Sequence, residues 1–300
     1  MQYGQQIQFT SSDAWTVLTP IERSIKNKIL EKGTLLANWD ITINRGILTG
    51  YNAAFIISTE TKDSLIKADP KSAELIRPIL RGRDIKRYSF EFADLWLIST
   101  FPSMQYDIDN YPAIRDYLLS FGINRLEQTG KQYIINGVKV KARKKTNNQW
   151  FETQDSISYW NDLLKQKIIW GEISDKPKFA IDVEGIYTPE ATTFMMTGEH
   201  LKYLLCFLNS TLSEYYFAKI GTTTGMGTLR WKKYLIETLP VPKIDGKTAS
   251  ELEALVDSMI LDPDNSKYYM ERINQIIYGI YDFTTDEITF IEEMVQIGAH

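Results

Sequence analysis

The chain has 300 residues, a net charge of −4 and a pI of about 5.4, with 43% hydrophobic and 12% aromatic residues. That is ample apolar material for a buried core, in one large domain or two smaller ones, and it excludes a disordered chain. The weakly acidic balance excludes bulk basic attraction to nucleic acid, so any such partner has to be held by segregated charge.

In chain order, residues 1 to 18 are polar and aperiodic and read as a linker. Thr19-Pro20-Ile21-Glu22 is a capping box with proline at the first helical position, and Ile25, Ile29 and the stop at Gly33 predict a helix over 20–32. Trp39 to Asn44 alternates as a strand does. The two-glycine turn Arg45-Gly46-Ile47-Leu48-Thr49-Gly50-Tyr51-Asn52 follows, then a second apolar strand, Ala53 to Ile57. On this reading the turn displays Thr49, Tyr51 and Asn52.

Charge segregates next. Arg77, Arg81, Arg83, Lys86 and Arg87 stand against the lone Asp84 between Arg77 and Tyr88, a local balance of +4. Four of the five are arginines, whose planar fork suits phosphate or a guanine edge; a solvated loop with internal ion pairs is the alternative. Leu95 to Ile98 predicts a strand, and Tyr111-Pro112 leads a helix through Leu118. Lys131, Lys139, Lys141, Arg143, Lys144 and Lys145 then fall in a stretch without one acidic residue, an exposed loop or ribbon interleaved with Tyr133, Asn147 and Trp150. No amphipathic helix accompanies these cations, so a membrane surface is not the expected partner.

Lys167 to Trp170, Phe179 to Asp182 and Thr192 to Met196 predict further strands, and Leu201 to Tyr216 follows helical spacing over 199–218. A glycine-rich loop, Gly221 to Trp231, has Arg230 where a dinucleotide fingerprint would place its third glycine, so it is not one. Leu239-Pro240-Val241-Pro242 ends this region, and 249–296 predicts about three helices, one opened by a capping box of Thr284 and Glu287. From Asp245 onward three Lys/Arg oppose twelve Asp/Glu, a balance of −9. The pattern predicts an α+β fold, mixed and β-rich, with peripheral helices and a helical C-terminal segment.

Catalytic sets are missing. Cys206 is the one cysteine, so there is no internal disulfide or cysteine-rich zinc site, and its leucine-rich neighbours predict a buried thiol. His200 and His300 are the only histidines, too few for a Ser/His/Asp triad or a histidine metal site. No apolar run approaches ~18 residues and no signal pattern opens the chain, so the expected location is cytoplasmic. The turn Asp262-Pro263-Asp264 reads as a helix cap rather than half of a magnesium site.

Several of these stretches together resemble the TaqI-like C-terminal specificity domain of type IIG restriction-modification enzymes, akin to the target recognition domains of type I specificity subunits. They are Arg45 to Phe55, Ile79-Leu80-Arg81-Gly82-Arg83-Asp84-Ile85, Ala142 to Thr146 with Trp150-Phe151-Glu152, Lys167 to Trp170, Leu208-Asn209-Ser210 and Leu239 to Pro242, in the family's order. The resemblance implies an N-terminal linker and helix at 1–35, a target recognition domain at 36–243 and an acidic helical segment at 244–300. It also implies sequence-specific binding of double-stranded DNA as part of an adenine-specific DNA methyltransferase and endonuclease. Methyltransferase and nuclease domains, with their S-adenosylmethionine and magnesium, would then lie elsewhere in the polypeptide or complex, because no Asn-Pro-Pro-Tyr occurs here and this chain alone carries no catalytic residue, cofactor or metal ligand.

The expected DNA contacts are Arg45, Thr49, Asn52, Arg77, Arg81, Arg83, Lys86, Arg87, Lys139, Lys141, Arg143, Lys144, Lys145, Asn147, Trp150, Arg230 and Trp231. Two other readings stay open: a single-stranded nucleic-acid module stacking bases on Tyr133, Trp150 and Trp231, and a protein-interaction domain.

Overall fold

The computed structural model describes residues 18–221 and 228–297. The expected linker up to residue 17 and the centre of the glycine-rich loop lie outside the described residues. Helix α1, Pro20–Lys32, starts as its capping box requires: Thr19 Oγ1 accepts from the Glu22 amide while the Glu22 carboxylate accepts from Thr19 N–H. Strands β1 (Gly33–Leu35) and β2 (Ile41–Arg45) follow. The expected strand over 53–57 is corrected: Asn52–Phe55 is a single helical turn, α2, and the strand is β3, Ile56–Ser58. Thr49 Oγ1 accepts from the Tyr51 amide and donates to Asn52 Oδ1, which turns the backbone before the strand can begin.

Helix α3 (Thr59–Ala68), capped by Ser58, leads to β4 (Ile76–Leu80) and β5 (Leu95–Ile98). Helices α4 (Pro112–Leu119) and α5 (Ile123–Leu126) precede a hairpin, β6 (Gln132–Ile135) and β7 (Val138–Lys141). The centre of the chain supplies β8 (Lys167–Gly171), β9 (Ile173–Ser174), β10 (Phe179–Asp182), β11 (Thr188–Pro189) and β12 (Thr193–Gly198).

The helix expected over 199–218 is instead two, α6 (Leu201–Leu208) and α7 (Thr211–Ile220). Asn209 leaves the helix to bind the backbone of Phe179 through both its amide atoms, and Ser210 becomes the N-cap of α7. Strand β13 (Leu229–Arg230), helix α8 (Lys233–Ile236) and β14 (Pro240–Pro242) come next, and helices α9 (Gly246–Leu261), α10 (Ser266–Ile280) and α11 (Thr285–Ile297) close the fold. The class is α+β.

Two four-stranded sheets organise it, one antiparallel in the order β10-β8-β12-β2 and one mixed in the order β11-β4-β5-β3. The first is buried on both faces. Ile168, Trp170, Phe179, Ile181 and Met196 face one core with α1, α6, α7 and α9 to α11, whereas Ile169, Ala180 and Met195 face a second core with β3 to β5 and α4. Strand alternation alone produces this division, since successive side chains point to opposite faces. The pairing of β1 with β14 and the shared first core make residues near both ends of the described chain part of one body.

Lys167 and Asp182 are register partners on β8 and β10, and their side chains form a buried ion pair at 2.7 Å. Asp182 also accepts from the amides of Ile186 and Tyr187, and Lys167 Nζ donates to Leu163 O, so neither charge is left without partners. Burial lowers the Lys167 pKa, and the Asp182 carboxylate opposes that shift.

Candidate nucleic-acid interface

The loop between β11 and β12 is a hub on which four separate segments converge. Arg45, at the end of β2, donates from Nε to Ala191 O at 2.9 Å. Asn52 Nδ2 reaches Glu190 Oε1 at 3.4 Å, and the other carboxylate oxygen accepts from the backbone and hydroxyl of Thr192 at 2.9 and 2.6 Å. The turn Arg81-Gly82-Arg83 lies against the same loop, with Gly82 N–H 3.4 Å from Thr192 Oγ1. The Glu172 N–H donates to Thr192 O at 2.9 Å, and the Glu172 carboxylate pairs with Arg230 at 3.3 Å.

The approach of 45–52 to this loop is tight enough to require glycine. A Cβ on Gly46 would stand 2.1 Å from Glu190 O, and Gly50 adopts φ +78°. Both glycines of the expected turn therefore have a physical reason, one of space and one of backbone angle.

Within the basic segment the charges divide. Arg81 and Asp84 form a bidentate pair, with Nη2 to Oδ1 at 2.7 Å and Nε to Oδ2 at 3.0 Å. Burial raises the Asp84 pKa, but the hydrogen bonds from the Arg81 side chain and backbone outweigh it, and the carboxyl lies below its ordinary value. Arg87 is tied to Glu214 at 2.8 Å and to Pro177 O, and Lys86 stands 3.8 Å from Glu91. Arg77 is half-buried with its guanidinium 4.6 Å from the Trp160 ring centre, and its Nε has no hydrogen-bond partner. Arg83 is exposed and makes no ion pair among the described residues.

The local +4 is thus largely spent internally, and only part of it faces outward. Arg87 and Lys86 make their contacts away from the loop, so for part of Arg77 to Tyr88 the structure has the internal ion pairs of the alternative reading.

Three expected contacts are buried and are corrected outright. Thr49 is fully buried and serves the turn before α2. Trp231 is 1% exposed, stacked on Phe217 with ring centres 3.9 Å apart, and donates from Nε1 to Ser174 O. Arg143 is 2% exposed and donates to Leu126 O, Thr49 O, Glu152 O and Trp150 O at 2.6 to 2.9 Å. Burial lowers its pKa to about 10, with Arg125 adding to the effect. In this structure the polar side-chain atoms of all three are engaged inside the fold.

Lys139, Lys141, Lys144, Lys145 and Asn147 are exposed, and the four lysines have no ion pair among the described residues. Trp150 is half-buried against Phe151. Lys144 and Arg45 both bear on the Asp155 carboxylate, which joins the base of the β6–β7 hairpin to the loop hub. Burial is the largest influence on Asp155 and raises its pKa.

No local pattern in the sequence marks the acidic members Asp155, Glu172 and Glu190. Glu190 meets Asn52 across 138 positions, a pairing that no local spacing encodes. Among the described residues no group of three His, Cys, Asp or Glu side chains could hold a metal ion, and no helix is long and apolar enough to cross a membrane.

Comparison with known proteins follows the same region. No curated protein matches the chain. Among solved structures the chain is similar to a type IIL restriction-modification enzyme, MmeI, in complex with DNA: TM-score 0.60, 12% identity, 88% of this chain and 36% of that one. It is also similar to the type IIG restriction endonuclease BpuSI, at TM-score 0.49 and 14% identity, over 87% of this chain and 32% of that one. The chain therefore spans about a third of the length of those enzymes. The family model of the TaqI-like C-terminal specificity domain matches residues 77–241, more than half of the chain and most of the sheets and loops described above. The chain belongs to the TaqI-like C-terminal specificity domain family.

Proposed function

We propose that the chain is the target recognition part of a restriction-modification enzyme of the type IIG kind. It binds duplex DNA and directs adenine methylation and cleavage carried out by other domains of the same polypeptide or complex. The observation that carries this reading is the convergence of Arg45, Asn52 and the Arg81–Arg83 turn on loop 190–192, with Arg230 held beside it through Glu172. That hub adjoins the unpaired Lys144 and Lys145 at the hairpin base.

Cations without internal partners position a phosphate backbone, and polar side chains among them read base edges. Glu172 serves to aim Arg230, since a carboxylate that accepts from a guanidinium limits its rotamers. The acidic helices α9 to α11 pack on the opposite face of the first sheet from the second core, where their charge does not oppose DNA.

S-adenosylmethionine and magnesium enter this reading only through the other domains. The described residues assemble no metal-ligating group, and no step of the chemistry is assigned to this chain. Single-stranded binding is less well supported, because Trp231 is buried and Tyr133 and Trp150 are half-covered, so none of the three is an open stacking surface.

The test is fluorescence anisotropy against a random duplex pool at about 50 and 200 mM salt, with sequencing of the retained fraction. With about five phosphate contacts, a log-log salt slope of roughly −4 to −5 and an enriched short motif are expected. Absence of duplex binding at the lower salt overturns the reading.

A further inference from the structure

The hairpin of β6 and β7 has two chemically different faces. Its register pairs Gln132 with Lys141, Tyr133 with Val140, Ile134 with Lys139 and Ile135 with Val138. Directly opposed residues share a face. One face therefore carries Gln132, Ile134, Lys139 and Lys141, and the other Tyr133, Ile135, Val138 and Val140.

The first face is open along its whole length, with Ile134 76% exposed. On the second, Tyr133 and Val140 are half-buried toward the body, where Arg125 of α5 donates to Lys141 O at 2.8 Å. The turn at Asn136-Gly137 has φ of +51° and +80°, a tight two-residue connection whose twist matches that of the paired strands, so the pairing runs to the tip.

Lysines on an exposed strand pair guard it against pairing with another edge, but a bare isoleucine between them does not. Here no acidic residue occurs between Lys131 and Lys145, and neither Lys139 nor Lys141 has an ion pair among the described residues. An amide, a bare isoleucine and two free ammonium groups on one flat face are the chemistry of a base edge flanked by phosphates. Glutamine meets adenine through both amide atoms, an aliphatic side chain meets the thymine methyl, and lysine meets the backbone.

Dimensions decide which groove. Two paired strands stand about 4.8 Å apart before side chains are added, and four residues run about 13 Å. The major groove, about 12 Å wide and 8.5 Å deep, admits such a ribbon, while the minor groove at about 6 Å does not. We propose that the β6–β7 ribbon enters the major groove of duplex DNA, with Gln132 and Ile134 as base-edge contacts and Lys139 and Lys141 on the flanking phosphates. The inference rests on the DNA-recognition reading above and names the element that reads sequence.

Chemical protection with dimethyl sulfate separates the grooves, because it methylates guanine N7 in the major groove and adenine N3 in the minor. On a duplex recovered from the random pool, the unsubstituted chain is expected to protect guanine N7 positions. The variant Q132A/I134S changes only exposed side chains, so it is expected to fold normally and to bind unrelated duplex as before. It should bind the recovered sequence about tenfold more weakly, and 7-deazaadenine and uracil at the enriched A·T pairs should weaken binding of the unsubstituted chain while leaving the variant unchanged. Protection confined to adenine N3, or unchanged selectivity in the variant, overturns the ribbon's role while leaving DNA binding intact. Duplex binding that enriches no motif overturns it equally, and no duplex binding by the unsubstituted chain overturns both readings.

Discussion

The Arg143 guanidinium donates from Nη1 to the backbone oxygen of Thr49 at 2.9 Å, joining residues 94 positions apart. The same nitrogen reaches Glu152 O at 2.7 Å, Nη2 reaches Trp150 O and Nε reaches Leu126 O. One buried side chain thereby holds the root of the β6–β7 hairpin, the turn before α2 and the loop at 150–152 in a fixed relation. Replacing Arg143 with Met removes the donor to Leu126 O, Thr49 O and Trp150 O, while Glu152 O keeps Gln128 Nε2, and is expected to cost about 3 kcal/mol or more of stability. Urea unfolding checks this, and the Arg143→Lys variant, with one donor centre in place of three, should fall between the two.

Arg83 and Arg87 lie four positions apart and should behave oppositely. Arg83 is exposed and unpaired among the described residues, so Arg83→Ala is expected to weaken duplex binding and reduce the salt slope by about 1 without changing stability. Arg87 is held by Glu214 and Pro177 O, so Arg87→Ala should leave DNA binding unchanged and cost about 1 kcal/mol of stability or less. Anisotropy titrations at several salt concentrations, beside thermal melts, distinguish them. Charge reversal at Arg83 should weaken binding further with the fold intact, whereas reversal at Arg81 sets a carboxylate against the buried Asp84 and should cost stability.

The Lys167–Asp182 pair makes a third case. With both side chains buried, Asp182→Asn strands a lysine charge in the interior, and the expected loss is about 3 to 5 kcal/mol. The double variant Lys167→Met/Asp182→Leu should lose less than that, because no unpaired charge remains. Denaturant midpoints of the single and double variants give the comparison.

Stability should also fall at acid pH in a manner set by Glu287. Burial raises its pKa, but hydrogen bonds from Lys28, Ser24 and the Thr284 amide outweigh burial and hold the carboxyl below its ordinary value of 4.5. A group depressed in the folded state stabilises above its unfolded pKa, and that contribution is lost as the pH falls through the folded value. Asp84, depressed below 3.8, acts in the same direction. Melting temperature is therefore expected to drop as the pH is lowered below about 4.5, and Glu287→Gln should flatten that dependence. A dependence of the same steepness in the variant would remove Glu287 from the account.

Local order was legible to different depths in different elements. The capping boxes at Thr19 and Thr284 are both present, since each is a contact between residues three apart. Strands β5, β8 and β10 lie where their apolar runs predict, and Cys206 is buried among leucines. The break at Asn209-Ser210 was not legible, because the partner of Asn209 is Phe179, 30 positions away, and helical periodicity continues through the gap. Among the candidate contacts, Arg45, Asn52, Arg83, Lys139, Lys141, Lys144, Lys145 and Asn147 are exposed and Arg230 is half-exposed, whereas Thr49, Arg143 and Trp231 are inside. Residue type marks a side chain as able to meet a phosphate or a base, but says nothing of whether its own fold has already engaged it.

By itself, the sequence determined the elements whose information is local: helix starts set by capping, strands set by alternation, and the segregation of charge between the basic stretches and the acidic tail. Only the tertiary structure decided which cations are free. Arg81, Arg87 and Arg143 are each neutralised or enclosed by Asp84, by Glu214 and by four carbonyls, whereas the lysines of the hairpin and its base are not. Two of those three arrangements depend on partners distant in the chain, and a distant partner is chosen by packing of the whole core rather than by neighbours in sequence.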